Sequence, residues 1–230
     1  MKNGNNGWSG FSAFQVFGDH VPMDGFKLVV RISLDPDQVR DVIAERAQSQ
    51  APLDPDFARC LLRAGLGLMQ TGLVSFVYAS GCEVVVVLLP DAVLSVGESL
   101  HIHDRIVTQY AASLALLVGK VIPAIGEVYE FPNVGVVRKA VVALQSTLEE
   151  TTPSRSAHWI GAQMRGRREA FHPSMVETLE EQMAILQANG VDLESLPLWW
   201  WRGMAVRRNG PEVEVFDELP DGEELGALIV

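Results

Sequence analysis

Two apolar stretches constrain the fold of this chain more than any other part of its sequence. One covers residues 28–33, and the other runs from residue 75 through a short polar break at residues 80–83 to residue 89. Continuous apolar runs of this length are typical of strands buried in a sheet. Since 48% of the 230 residues are hydrophobic, the chain can also bury a sizeable core. We therefore expect a globular protein built around a buried sheet.

Extended and helical patterns alternate along the first 150 residues. Within the first helical pattern, for example, Val39, Val42, Ile43 and Ala47 keep helical spacing. The resulting βαββαβ order predicts an α+β fold, in which a palm-like (ferredoxin-like) antiparallel sheet carries helices on one face and is followed by a C-terminal helical extension. The predicted strands are 27–33, 74–80, 83–89 and 121–130, and the predicted helices are 36–48, 55–70, 98–118 and 134–148.

The same patterns divide the chain into four parts. Residues 1–25 are rich in glycine and predict an irregular lead-in, and residues 26–150 form the palm-like domain. Residues 151–210 predict a helical extension packed on the palm. Residues 211–230 predict an acidic C-terminal tail.

The net charge and the cysteine content limit the functions that this chain is expected to have. The formal net charge is −11 and the isoelectric point is about 4.9, which disfavours RNA binding because such binding depends largely on basic side chains that neutralise phosphates. The two cysteines, Cys60 and Cys82, show no zinc-ligand spacing, so a reduced, cytoplasmic location is expected. No apolar run is long enough to predict a membrane span or a signal peptide.

The two apolar stretches resemble the metal-binding strands of the tRNA-His guanylyltransferase family, reverse-direction polymerases that extend the 5′ end of tRNA. In that family the strands read roughly Arg-(Ile/Leu)-Asp-Gly-Arg and Tyr-Thr-x-Ser-Asp-Glu. When Arg31 and Tyr78 are aligned with these motifs, Ser33 and Cys82 take the positions of the two metal-ligating aspartates, and Glu83 remains as an acid. Neither a neutral hydroxyl nor a thiol supplies the hard anionic oxygens that hold two Mg²⁺ ions. The resemblance therefore implies the family's fold with a degraded metal site.

Further segments recur in the family's order and extend the resemblance over roughly residues 20–208. The most specific is the stretch 179–203, which resembles a bacterial ending that closes on Leu-Pro-x-Trp-x-(Arg/Lys)-(Arg/Lys)-Gly. Where the family carries Phe-Asp-(Ala/Ser)-Arg-Val, this chain has residues 124–128. The family's acid thus becomes the apolar Ile125, and its base becomes Glu127.

Other polar residues have two interpretations each. Asp35 could replace a lost carboxylate, but with Asp37 it also suits the N-terminus of the helix that follows. His101 and His103, beside Asp104, suggest a metal pair, yet the sequence offers no third ligand and a solvated surface is favoured.

The remaining candidates are a thiol and a basic cluster. Cys82 could be a reactive thiol, although a cysteine beside a run of valines usually behaves as a small buried hydrophobe. The basic cluster could contact phosphates or could form a solubilising face. It comprises Arg165, Arg167 and Arg168, with Arg155 upstream.

Three consecutive tryptophans, Trp199, Trp200 and Trp201, stand near the C-terminus. Successive side chains on a helix or strand cannot all face one side, so we expect at least one indole to be exposed or to lie in an interface. Tryptophan is enriched at binding hot spots, and the negative charge favours a protein partner over nucleic acid.

These observations favour a catalytically degenerate relative of the family, a non-catalytic binding or assembly subunit without a cofactor. The resemblance implies a homo-oligomer, and a hetero-oligomer with an active paralogue is the other possible assembly. One alternative is an active Mg²⁺-dependent tRNA 5′-end nucleotidyltransferase that uses GTP, Glu83 and a displaced acid such as Asp35. Another is a nucleotide-binding sensor without turnover.

Overall fold

A seven-stranded antiparallel sheet forms the centre of the fold. The structure is a computed structural model, and it describes residues 8–46, 54–90, 99–164, 179–188, 190 and 196–230. The strands lie in the order β1-β5-β2-β4-β3-β6-β7 across the sheet. They are β1 (Gln15–Val16), β2 (Lys27–Leu34), β3 (Val74–Ser80), β4 (Glu83–Leu88), β5 (Ala124–Phe131), β6 (Met204–Asn209) and β7 (Glu212–Phe216).

Helices connect and cover these strands, and a short 3-10 helix (Ser9–Phe14) precedes β1. The helices are α1 (Pro36–Arg46), α2 (Pro55–Met69), α3 (Ser99–Val118), α4 (Val134–Met164), α5 (Leu179–Ala188), α6 (Leu198–Arg202) and α7 (Gly222–Ala227). From β2 to β5 the chain follows the predicted βαββαβ order, and the four strands of this unit lie as β5-β2-β4-β3. The predicted palm-like α+β fold is thereby confirmed. Among the described helices, none combines the length and the apolar content that crossing a bilayer requires.

Both faces of the sheet are buried, which explains the continuous apolar run in β4. Val84 and Val86 pack with α2 and α3 on one face, whereas Val85 and Val87 belong to a second core on the other. A strand covered on both sides has no need of polar residues at alternate positions. The second face is covered by α4 and α7, so the prediction that helices lie on one face of the sheet is wrong.

The long helix α4 extends beyond the predicted end at residue 148 and continues to Met164 with Pro153 inside it. Proline normally interrupts a helix because it lacks the N–H that would bond to the carbonyl four residues earlier. Here Thr152 and Ser156 are buried against the fold on either side of Pro153. The hydroxyls of Thr152 and Ser156 also donate to the carbonyls of Leu148 and Thr152, each at 2.6 Å. Burial of this turn thus outweighs the missing backbone hydrogen bond.

The C-terminal segment is tied into the sheet through Arg202, the last residue of α6. Its carbonyl accepts hydrogen bonds from the Tyr78 hydroxyl at 2.8 Å and from the Gln145 amide at 3.3 Å. Its guanidinium pairs with Glu149 at 3.0 Å and with Asp221 at 3.1 Å. Strand β6 then pairs with β3, and β7 with β6, so part of the predicted acidic tail belongs to the sheet.

Gly203 makes the turn from α6 into β6 and tolerates no side chain. Its backbone has φ 78° and ψ −167°, a region that is essentially restricted to glycine. A Cβ at this position would lie 2.8 Å from the Ala79 carbonyl oxygen and 2.9 Å from Cζ of Tyr78. The approach of α6 to β3 therefore depends on this glycine.

We predict that Gly203→Ala destabilises the fold by about 3 kcal/mol or more, because backbone strain of about 1–3 kcal/mol adds to the steric clash. Gly210→Ala is the matched control, since Gly210 also has a positive φ (59°) but no atom lies within 4 Å of its added Cβ. Its cost should stay near 1–2 kcal/mol. Urea unfolding measures both values, and equal losses in the two variants would contradict the close approach at Gly203.

Candidate functional site

A polar cluster lies at one end of the sheet, where β2, β4 and β5 run side by side. Ser33 pairs directly with Glu83 of β4, and Arg31 pairs with Glu127 of β5. Alternate residues of a strand face opposite sides of a sheet. Since Val30 and Ile32 point into the core under α2 and α3, Arg31 and Ser33 lie on the other face, which further along the sheet is covered by α4.

Arg31 is the centre of this cluster. Its Nε donates to Oε2 of Glu83 at 2.9 Å, and its Nη1 donates to Oε2 of Glu127 at 3.1 Å. The side chain of Arg31 is 8% exposed, against 18% for Glu83 and 32% for Glu127. One guanidinium thus bridges carboxylates from the two strands that flank its own.

Neutral polar side chains complete the hydrogen bonding of both carboxylates. The Ser33 hydroxyl donates to Glu83, at 3.1 Å from Oε2 and 3.3 Å from Oε1. The Tyr129 hydroxyl donates to Oε2 of Glu127 at 3.1 Å, and the Gln15 amide donates to Oε1 at 3.4 Å. Both carboxylates therefore already accept hydrogen bonds from the protein.

The cluster shifts the pKa values of two of its members. Burial alone would lower the pKa of Arg31, but the charges of Glu83 and Glu127 and their hydrogen bonds raise it overall. The pKa of Tyr129 is raised by burial and by the neighbouring Glu127 carboxylate, with Arg31 opposing the shift. Arg31 is therefore a permanent cation, and Tyr129 is a neutral donor at physiological pH.

Of the residues aligned with the family's metal site, the structure brings Ser33 and Glu83 together. Cys82 is partly buried in the turn that joins β3 and β4, next to Glu83, and its carbonyl accepts a hydrogen bond from Leu34 N–H at 2.8 Å. Asp35 caps α1, because its Oδ1 accepts from the Gln38 N–H at 2.8 Å. This bond supports the capping interpretation of Asp35 over the interpretation as a displaced metal ligand.

These residues do not fit a site for two Mg²⁺ ions. Glu83 is the one carboxylate at the aligned positions, and its oxygens are engaged by Arg31 and Ser33. Within the described ranges, no three His, Cys, Asp or Glu residues lie close enough together to hold one metal ion. Hard divalent cations require several free anionic oxygens, which these aligned positions lack.

The histidine pair and the arginine cluster do not join this site. His103 Nδ1 lies 2.8 Å from Oδ1 of Asp104, and its Nε2 lies 3.2 Å from the Gly126 carbonyl oxygen, so His103 connects α3 to β5. His101 is exposed on the same helix. Arg165, Arg167 and Arg168 lie outside the described residues, as does the side chain of Arg155.

The three tryptophans belong to α6 and are all partly buried. Trp199 packs against the core under α2 and α3, and its ring meets that of Trp200 edge to face with centroids 6.1 Å apart. None of the three is fully exposed.

The sequence does not reveal the role of Arg31, Tyr129 and Gln15 in the cluster. In the alignment, Arg31 only helps to place Ser33 at a metal-ligating position of the family. Glu127 is noticeable only because an acid stands there where the resembled family has a base. A useful sign is the spacing of Arg31 and Ser33, which places both side chains on one face of β2. Their partners on β4 and β5 depend on strand register, which the sequence does not specify.

Comparison with known proteins shows that other chains share this fold. A bacterial tRNA(His) guanylyltransferase (Thg1)-like protein in complex with ATP is similar, with a TM-score of 0.69 and 13% identity over 92% of this chain and 94% of its own. The tRNA(His) guanylyltransferase of Saccharomyces cerevisiae has a TM-score of 0.63 and 12% identity, covering 86% and 93% of the two chains.

A bacterial protein of the same description, in complex with GTP, has a TM-score of 0.63 and 14% identity over 88% of this chain and 87% of its own. No protein-family profile and no curated protein sequence matches this chain. The structural likeness confirms the predicted guanylyltransferase-like fold.

Proposed function

We propose that this chain is a catalytically degenerate relative of tRNA-His guanylyltransferase and that it acts as a non-catalytic binding or assembly subunit. The main observation that supports this proposal is the hydrogen bonding of the Glu83 carboxylate. It is the one acid that the alignment leaves at the family's metal positions, and Arg31 and Ser33 engage its oxygens. A carboxylate that is held in an ion pair in this way has a structural role and is a poor metal ligand.

Neighbouring positions support the same conclusion. Ile125, which stands where the resembled family has an acid, pairs in register with Ser33 and is 72% exposed. Glu127 stands where that family has a base, and here it binds Arg31. Several polar positions of one site have thus changed together, while the buried strand residues keep the fold. This pattern favours a protein that retains the architecture for another purpose.

Electrostatics favours a protein partner over tRNA. The net charge is −11, and many basic side chains of the described residues are already engaged by carboxylates or backbone carbonyls. Such side chains have less capacity to neutralise phosphates, and phosphate neutralisation supplies most of the affinity for nucleic acid. The engaged residues include Arg31, Arg40, Arg59, Lys120, Arg138, Arg202, Arg207 and Arg208.

The proposed assembly surface is the outer side of α6. Trp199, Trp200 and Trp201 each retain part of their surface, and the exposed Leu198 stands beside them. Large aromatic rings that are partly held by their own domain can contact a partner with little loss of conformational entropy. The partner is a second copy of this chain or another protein, including an active paralogue.

A nucleotide sensor without turnover is the second candidate. Two of the solved structures with this fold hold ATP and GTP. Such a sensor would bind nucleotide through the remaining palm surface, and it would leave the acceptor RNA unchanged.

We predict that the purified protein does not transfer labelled GTP to the 5′ end of tRNA, whether that end carries a monophosphate or a triphosphate. The expected rate with Mg²⁺ equals that of Glu83→Gln, because Glu83 is engaged by Arg31. A bacterial tRNA(His) guanylyltransferase-like protein, assayed in parallel, is the positive control. Mg²⁺-dependent extension that disappears in Glu83→Gln would establish the active enzyme, whereas saturable GTP binding without product would favour the sensor.

We predict that a single Trp→Ala change at Trp199, Trp200 or Trp201 weakens oligomer or partner binding more than tenfold at one position at least. The reason is that truncating a hot-spot aromatic costs about 2 kcal/mol or more. Light scattering with sedimentation measures the assembly, and circular dichroism checks that each variant remains folded. A wild-type monomer at high concentration with no co-purifying partner, together with three variants of unchanged behaviour, would refute the assembly role.

A further inference from the structure

We propose that the outer edge of β7 binds an extended segment of another protein in which basic and apolar residues alternate. Such a segment would add one more strand to the seven-stranded sheet. Strand β7 ends the sheet on this side, and among the described strands none pairs with its outer edge. At the other end of the sheet, β1 has two residues and offers a much shorter edge. The proposal goes beyond the proposed function, because it concerns a surface other than the outer side of α6.

The turn before β7 determines which of its backbone groups face outward. Asn209 pairs with Glu212 across the two-residue turn at 210–211. In a turn of this length the N–H of the fourth residue bonds to the carbonyl of the first, so Glu212 is hydrogen-bonded to β6. Every second residue of an antiparallel strand bonds to the same neighbour. The N–H and C=O groups of Val213 and Val215 therefore point away from β6 and are available to a further strand.

The side chains of these two residues are apolar and exposed. Val213 is 39% exposed and Val215 is 48% exposed, although Val206, which pairs with Val215, lies in the core under α2 and α3. Both valines lie on that face of the sheet, since they are two residues apart on one strand. An edge strand with exposed apolar side chains is a template for another strand. Apolar residues of the partner opposite the valines would cover this surface.

Carboxylates at the same edge determine the charge of the partner. They are those of Glu212, Glu214, Asp217 and Glu218. Arg207 pairs with Glu214, whereas the other three acids form no ion pair with any described residue. The guanidinium of the neighbouring Arg208 donates to the carbonyls of Met69 and Val74. The edge therefore carries excess negative charge.

This charge selects a basic segment over a second copy of the chain. Glu212 and Glu214 alternate with the valines, so both lie on the opposite face of β7. Lysine or arginine residues of the partner on that face would neutralise them, since opposite charges across neighbouring strands attract. A second copy of β7 would bring the same acids to the contact, and like charges on neighbouring strands repel.

The probe is a short acetylated and amidated peptide in which lysine and valine alternate, and calorimetry measures its binding to the full chain. We expect saturable binding at low salt, about tenfold or more tighter than that of a lysine–serine peptide of equal charge. A glutamate–valine peptide should not bind. The lysine–valine peptide should also slow hydrogen exchange at the amides of Val213 and Val215.

Val215→Pro tests the backbone edge, because an edge strand tolerates proline where the N–H faces solvent. This change removes a donor to the partner, so it should weaken binding of the lysine–valine peptide about tenfold or more. Val215→Thr is the matched control, since it keeps the N–H and a β-branched side chain. It should weaken binding by less than about threefold.

Equal binding of the lysine–serine peptide, or unchanged binding to folded Val215→Pro, would overturn the proposal. Protection of the two amides that rises with protein concentration in the absence of peptide would identify a second copy as the occupant and would also overturn it. If Val215→Pro is unfolded, hydrogen exchange in the wild type decides. Slower exchange at Val213 and Val215 with the lysine–valine peptide supports the proposal, and unchanged exchange refutes it.

Discussion

The polar end of this fold depends on the ion pairs that the Arg31 guanidinium forms with Glu83 and Glu127. Three neighbouring strands place one arginine and two glutamates within hydrogen-bonding distance on a partly buried surface. Removing such charges from water is costly unless each finds a partner, and a single unpaired member would be strongly destabilising. The cluster therefore explains how β2, β4 and β5 can carry charged residues beside a core that is otherwise apolar.

The rest of the architecture follows from burial on both sides of the sheet. The valines of β4 alternate between two cores, one under α2 and α3 and the other under α4 and α7. On the second face, α7 and the turn at Gly203 hold the C-terminal strands β6 and β7 in place.

Much of the fold can be predicted from local patterns. Strand β3 covers the predicted range 74–80, and the apolar periodicity places α1, α2 and α3 within two residues of their observed ends. The path of α4 through Pro153 could not be predicted in this way, because it depends on tertiary burial of Leu148 and Thr152. The helix propensity of a local segment does not include the effect of such tertiary packing.

The site is harder to predict from the sequence than the fold is. Ser33, Cys82 and Glu83 stand out through their spacing to Arg31 and Tyr78, and the structure brings Ser33 and Glu83 into contact. The partnership of Arg31 with Glu127 links residues 96 positions apart. It arises from the register between β2 and β5, and one residue of slip would send Glu127 to the opposite face. The sequence does not predict this ion pair, because the pairing depends on long-range strand register.

Glu83 stabilises the fold as a member of an ion pair. Acids kept at an active site for function often reduce stability, so their removal tends to increase it. The decisive measurement is the free energy of unfolding of Glu83→Gln and Glu127→Gln in urea at neutral pH. We expect Glu83→Gln to lose about 1.5–3 kcal/mol, since it weakens hydrogen bonds to a charged group, and the more exposed Glu127→Gln to lose less. Unchanged or increased stability in Glu83→Gln would contradict this role of Glu83.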